Sequence, residues 1–149
     1  MVGLDKAKLV EAFKKRVDGE RLPLFTLAEF FVNNDEEDSI APNQWGYGRP
    51  TLAEIWKQLK KIENHPDVAW VRVALHGDTD VGVRDGEFVY EIAGDTIVIC
   101  TTIKASEIEE IADCERLCSD GVNEYFDSEW YTEIPDIPAG YRVLTLCWD

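Results

Sequence analysis

Basic residues are scarce in this chain. Fifteen Lys and Arg stand against thirty Asp and Glu, a formal net charge of −15 at pH 7. Nucleic-acid phosphates are held by Lys and Arg, so direct nucleic-acid binding is disfavoured. Histidine is scarcer still: only His65 and His76 occur, eleven positions apart. Four cysteines (Cys100, Cys114, Cys118, Cys147) offer one closely spaced pair, Cys114 and Cys118, with no second pair at zinc-site spacing, so no metal is expected. No apolar run approaches the roughly 18 residues of a membrane span. Met1-Val2-Gly3-Leu4 passes straight into Asp5 and Lys6, without the apolar stretch of a signal peptide. The patterns G-x-G-x-x-G and G-x-x-x-x-G-K-[ST] are missing, which excludes nucleotide cradles of those kinds. No serine lies in a G-x-S-x-G turn. These absences point to a cytoplasmic protein with free, buried thiols, no cofactor and no recognisable catalytic set.

Apolar residues are not lacking. At 149 residues, with 45% hydrophobic content and sixteen aromatics, the chain can bury a real core as a single domain over residues 1–149. Three hydroxyl–carboxylate pairs, Thr26…Glu29, Thr51…Glu54 and Ser106…Glu109, have capping-box spacing. Behind Thr51, the residues Leu52, Ile55, Trp56, Leu59 and Ile62 recur at helical spacing, with Lys57, Lys60 and Lys61 opposite. Behind Ser106, Ile108, Ile111, Ala112 and Leu117 form the apolar stripe of an acidic helix. An N-terminal helix over residues 5–17 would bury Val10, Phe13 and Val17, and a short one after Thr26 is built on Leu27, Phe30 and Phe31.

Strand patterns follow. Val71, Val73 and Leu75 alternate with Arg72, Ala74 and His76, and Phe88, Tyr90 and Ile92 alternate with Glu87, Val89 and Glu91. Gly94-Asp95 reads as a two-residue hairpin turn into an apolar strand over 96–102. A last strand, 142–148, closes the chain. The expectation is an α+β fold: a mainly antiparallel sheet of about four strands with helices packed on one face, in the order ααα-βββ-α-β. The last strand, as an open edge, would permit a homodimer.

The acids are concentrated. Residues 105–138 hold eleven carboxylates and one base, Arg116, and a second knot is Asp35-Glu36-Glu37-Asp38 beside Asn33 and Asn34. The knot fails as a calcium loop. Counted from Asn33 or Asp35, the sixth position is Asp38 or Ile40 rather than Gly, and the twelfth is Gln44 or Gly46 rather than Glu. Its plain interpretation is a solvated turn whose Asn and Asp side chains satisfy backbone groups. His65, before Pro66, reads as a capping or simply solvated residue in a helix-to-strand connection. Next to the knot, Trp45-Gly46-Tyr47-Gly48-Arg49-Pro50 sets two large aromatics and an arginine on a glycine-hinged loop. Phe126, Trp130 and Tyr131 stand within the acidic stretch 120–133. Each ring alone is better explained as core filling, but Tyr, Trp and Arg are also the residues that anchor interfaces, and carboxylates around them suit a basic protein surface. Candidate binding residues are therefore Asp35, Glu36, Glu37, Asp38, Trp45, Tyr47 and Arg49, with Glu129 and Trp130.

Several segments together resemble a family of small uncharacterised bacterial proteins: Leu27-Ala28-Glu29-Phe30-Phe31, Asn34-Asp35-Glu36-Glu37-Asp38-Ser39-Ile40 with Asn43, His65-Pro66-Asp67-Val68, Asp95-Thr96-Ile97-Val98-Ile99-Cys100-Thr101, and the terminal Trp148-Asp149. The resemblance runs over residues 22–149, more weakly over 121–133. It implies a stand-alone cytoplasmic domain and transfers no catalytic residue. In size and acidity alone the chain also resembles immunity proteins that neutralise basic bacterial toxins. The expected function is thus a non-enzymatic binding or immunity-type module for a basic protein. The alternative is a small-molecule-binding protein or hydrolase using clustered carboxylates in a sheet–helix pocket.

Overall fold

The computed structural model describes residues 6–32, 34–76, 80–84, 87–91 and 93–148, with side chains outside 6–10, 80–84 and 87–91. Asn33, Ile92, Asp5 and Asp149 lie outside the described residues, as do the side chains of Val10, Phe88 and Tyr90. The elements are α1 (Lys6–Arg16), β1 (Leu24–Thr26), α2 (Leu27–Phe31), α3 (Leu52–Glu63), β2 (Val68–Leu75), β3 (Asp80–Arg84), β4 (Glu87–Glu91), β5 (Gly94–Thr101), α4 (Ala105–Ala112), α5 (Cys114–Leu117), β6 (Gly121–Asn123) and β7 (Arg142–Cys147). The fold is α+β, and its main sheet has five antiparallel strands in the order β1-β2-β5-β7-β6.

Two strand expectations are corrected. The predicted hairpin between β4 and β5 is absent: β4 pairs with β3 as a separate two-stranded unit, and β5 pairs with β2 and β7. Gly94 is therefore not a turn residue but the first residue of β5. A Cβ there would lie 2.7 Å from Ile40 Cδ1 and 2.9 Å from Val73 Cγ1, so glycine is needed for close approach rather than for a left-handed backbone. The second correction concerns β7, which is interior. The edges of the sheet are β1 and β6, three residues each, the short kind that limits edge-to-edge pairing.

Strand alternation sorts the sheet's residues onto two faces. Val71, Val73, Ile97, Ile99, Leu144 and Leu146 meet Phe13, Phe30, Phe31, Ile55, Leu59, Ile62 and Ile108 in the larger core. At roughly 1.5–3 kcal/mol for each fully buried side chain, this layer supplies most of the stabilisation. The other face carries Leu24, Trp70, Ala74, Val98, Cys100 and Val143 under Phe126, Tyr131, Ile134 and Tyr141. The sheet is thus covered on both faces, by helices on one and by the irregular 124–141 segment on the other.

The helix signals act as follows. Thr26 forms the full capping box: its hydroxyl accepts from Glu29 N (3.1 Å) and its own N–H donates to Glu29 Oε1 (2.9 Å). Thr51 Oγ1 accepts from Glu54 N at 3.3 Å. Ser106 is no cap, because α4 begins one residue earlier behind Lys104. Its supposed partner Glu109 instead accepts the Val122 N–H at 2.9 Å, holding β6 against α4. The predicted single helix through Leu117 breaks at Asp113, whose φ of 56° is left-handed. Cys118, at φ 59°, caps α5 and does not continue a shared face with Cys114. All four cysteines are free. Cys100 and Cys114 are buried, and burial raises both thiols, whereas Cys118 and Cys147 are half-exposed.

Candidate functional site

The acidic knot is built inward as much as outward. Asn34 Nδ2 donates to Phe30 O (2.9 Å) and Ser39 Oγ (3.0 Å), and its Oδ1 accepts from Glu36 N (2.9 Å). A single 3-10 turn, Glu37–Ser39, follows, and Ala41 N donates to Gly94 O at 2.9 Å, joining the knot to the sheet. Glu37 Oε1 accepts from Arg49 Nη2 (3.2 Å) and from Leu52 N (3.1 Å), so one carboxylate serves both the arginine and the first turn of α3. The Arg49 side chain is fully buried; its Nη1 donates to Ile40 O at 2.7 Å, and its guanidinium lies 4.4 Å from the Trp45 ring centroid. Burial lowers the Arg49 pKa, with Glu37 and then Asp38 acting against that. Of the first seven candidates, Glu37 and Arg49 therefore serve the fold, Glu36 is half-buried, and Asp35, Asp38, Trp45 (39% exposed) and Tyr47 (82%) face solvent.

The second acidic segment is anchored on the opposite face of the sheet. Phe126 and Tyr131 stack in parallel at 5.4 Å and pack over Leu24 and Trp70, whose Nε1 donates to Asp136 O at 3.0 Å. Burial, followed by Asp95 and other neighbouring groups, pushes the Tyr131 hydroxyl up to about 12. For these two rings the core-filling interpretation holds. Trp130 (55% exposed) and Tyr125 (64%) point the other way and meet edge to face at 6.1 Å. Glu129 is exposed beside them. The knot and the Trp130 segment thus belong to different layers and do not form one patch.

Arg16, absent from the sequence-based candidates, ties this segment down. It donates from Nε to Glu133 Oε1 (2.7 Å), from Nη1 to Glu29 Oε2 (2.9 Å) and from Nη2 to Leu24 O (2.9 Å), with its guanidinium 4.6 Å from the Phe25 centroid. Burial opposes its charge, but Glu133 and Glu29 outweigh burial and raise its pKa. Nearby, Leu22 N donates to Trp130 O and Thr132 N to Leu22 O, both at 2.9 Å. No local pattern marks Arg16. Its partner Glu133 is 117 positions away, so only the basic end of α1 hinted at a dipole-matched terminus.

The groups open to acid–base chemistry are sparse. His65 Nδ1 accepts from Asp67 N at 3.1 Å, so of its two expected roles, capping or solvation, it takes a local backbone-capping one. Asp95 Oδ1 accepts from the Thr96 hydroxyl (3.1 Å), and Oδ2 lies 3.9 Å from His76 Nε2. Burial raises the Asp95 carboxyl, with Thr96 and His76 opposing. Among the described residues no group of three or more His, Cys, Asp or Glu could hold a metal ion, and no helix is long and apolar enough to cross a membrane.

Fold and surface together define a small, strongly acidic α+β protein with exposed aromatics in or next to its acid-rich segments. The chain belongs to the Uncharacterized protein YfbO family, whose family model matches residues 5–146. That match takes in the N-terminal helix and the 121–133 stretch, where the sequence resemblance was absent or weaker. No curated protein and no solved structure matches the chain.

Proposed function

We propose that this protein is a non-enzymatic binding module, of the immunity or inhibitor type, for a basic protein partner. The observation that carries the proposal is the exposure of Tyr125 and Trp130 within an acid-rich segment, and of Trp45 and Tyr47 on the loop after the acidic knot, in a chain of net charge −15. Large aromatics supply contact area, while the surrounding carboxylates speed encounter with a positive surface and repel acidic competitors. The binding residues on this proposal are Asp35, Asp38, Trp45 and Tyr47 on the knot side, and Glu129 and Trp130 on the other. Glu37 and Arg49 hold the knot in shape. A cytoplasmic location is part of the proposal, supported by four free thiols.

The test is affinity capture from the host's lysate at low and high salt, with the parent protein and with a D35K/D38K/E129K variant. A basic protein retained at low salt by the parent, lost at high salt and lost by the variant is the expected outcome. Equal retention by the variant would overturn the proposal. Glu37 is left unchanged in that variant, because its loss would strand the buried Arg49 charge.

A small-molecule reading has one observation in its favour, the half-buried Asp95 between Thr96 and His76, near Tyr131. A metabolite screen by thermal shift, repeated with Asp95→Asn, checks it. A hit abolished by the substitution would favour this reading over the protein partner.

A further inference from the structure

The tryptophans of this chain are, with one exception, already accounted for by its own groups. Arg49 lies 4.4 Å from the Trp45 ring centroid, Lys60 4.8 Å from Trp56 and Arg72 5.7 Å from Trp70. Trp148 is buried in the larger core, and its Nε1 donates to Leu117 O at 2.9 Å. Trp130 is the exception: among the described residues no cation covers it, and more than half of it is exposed. Its neighbour Tyr125, more exposed still, meets it at 6.1 Å with 65° between the ring planes, so the two rings form an open corner rather than a closed stack.

The main chain under both rings is held in place. Trp130 O accepts from Leu22 N (2.9 Å), and Trp130 N donates to Asp127 O (3.2 Å). Asp127 Oδ1 accepts from Glu129 N (3.0 Å), which fixes the 3-10 turn Ser128–Trp130. On the other side, Tyr125 N donates to Asn123 Oδ1 (2.9 Å), and Tyr125 O accepts from the Thr145 hydroxyl (3.0 Å) on β7. Glu124 is engaged with Arg142 at 3.1 Å, whereas Glu129, beside the corner, has no ion-pair partner among the described residues.

An aromatic face attracts a cation through the ring quadrupole, and Trp does so best. A corner of two such rings on a pinned backbone, with the uncommitted carboxylate of Glu129 next to Trp130 in the chain, is complementary to a planar cation. We propose that the Tyr125–Trp130 corner receives an arginine side chain of a basic protein, the guanidinium stacking on Trp130 with Glu129 as its counter-charge. This deepens the binding-module proposal and rests on it. The hydrogen-bonded backbone under both rings means that little main-chain freedom is lost on binding.

The test titrates the whole protein with hexa-arginine at physiological salt, following the five tryptophan indole N–H resonances by NMR. A peptide in which every arginine is replaced by citrulline, the same shape without charge, is the control. The Trp130 resonance should move most, and the citrulline peptide should leave it in place. Trp130→Ala and Tyr125→Ala should each weaken hexa-arginine binding roughly three- to tenfold, while Trp130→Phe, which preserves the apolar bulk, should fall between parent and Trp130→Ala. Binding that leaves the Trp130 resonance unmoved, or that survives all three substitutions undiminished, overturns the corner as the receptor. If such binding is nevertheless lost in the D35K/D38K/E129K variant, the broader proposal of a basic partner stands without the corner. No binding of hexa-arginine even at low salt removes both.

Discussion

Two acidic segments of one chain are built into the fold in different ways. In the knot, Glu37 turns inward to Arg49 Nη2 and Leu52 N, and Arg49 is buried between Ile40 O and the Trp45 ring. In the 120–138 segment, aromatics turn inward instead. Phe126 and Tyr131 cover the sheet, while Tyr125, Trp130 and Glu129 stay out. Density of carboxylates along a chain therefore says little about their use. A buried or half-buried cation within reach makes an acid structural, as Arg49 does for Glu37 and Arg16 for Glu133, and an apolar sheet face within reach makes the neighbouring aromatics structural.

The largest expected break in this comparison is Arg49→Ala. It leaves Ile40 O without the guanidinium and Glu37 with Leu52 N alone, and should cost roughly 3 kcal/mol, read as a shift in the urea midpoint. The corresponding cut in the second segment, Phe126→Ala, removes apolar packing from a half-buried site and should cost about 2 kcal/mol in the same assay. An equal or larger loss at Phe126 would reverse the assignment of which segment is more deeply built into the fold. Asp95→Asn sharpens the contrast through pH. Burial raises the folded carboxyl above its unfolded value, so the folded state holds the proton more tightly and gains stability as pH falls through the acidic range. Asparagine carries no charge at any pH, so the variant should unfold at a higher temperature than the parent at neutral pH. That advantage should shrink as the pH is lowered through the acidic range, and an advantage constant with pH would show that the carboxyl titrates as in the unfolded chain. The smallest effect belongs to Tyr47→Ala, within about 0.5 kcal/mol of the parent in thermal unfolding because the ring is 82% exposed. A larger loss would mean that Tyr47 packs on the protein itself and is not free for a partner.

Much of the fold was legible wherever a pattern ran long enough to repeat. The stripe from Leu52 to Ile62 specified α3; its buried face is Leu52, Ile55, Leu59 and Ile62 joined by Gln58, while Trp56, expected in the stripe, is half-buried. Alternation in Val71, Val73 and Leu75 specified β2. The three-residue strands β1 and β6 are shorter than the period-2 signal needs, and Gly121-Val122-Asn123 looks like a loop by composition. Pairing was not legible either, since Gly94-Asp95 resembles a turn until Ile40 and Val73 are seen pressing on Gly94. In the candidate site, the Asn34 turn and the inward packing of Phe126 and Tyr131 followed from their residue types. Tyr125 went unnoticed because its neighbours in sequence do not reveal that its ring meets Trp130.

By itself the sequence determined the net charge, the positions of the helices, the apolar alternation of the central strands and the lack of known catalytic motifs. These are properties of composition and short-range periodicity. The tertiary structure alone decided which acids are spent internally, which aromatics remain exposed, and which strands form the edges of the sheet. Those outcomes depend on contacts between residues far apart in the chain, such as Arg16 with Glu133 and Gly94 with Ile40, and local pattern carries no record of them.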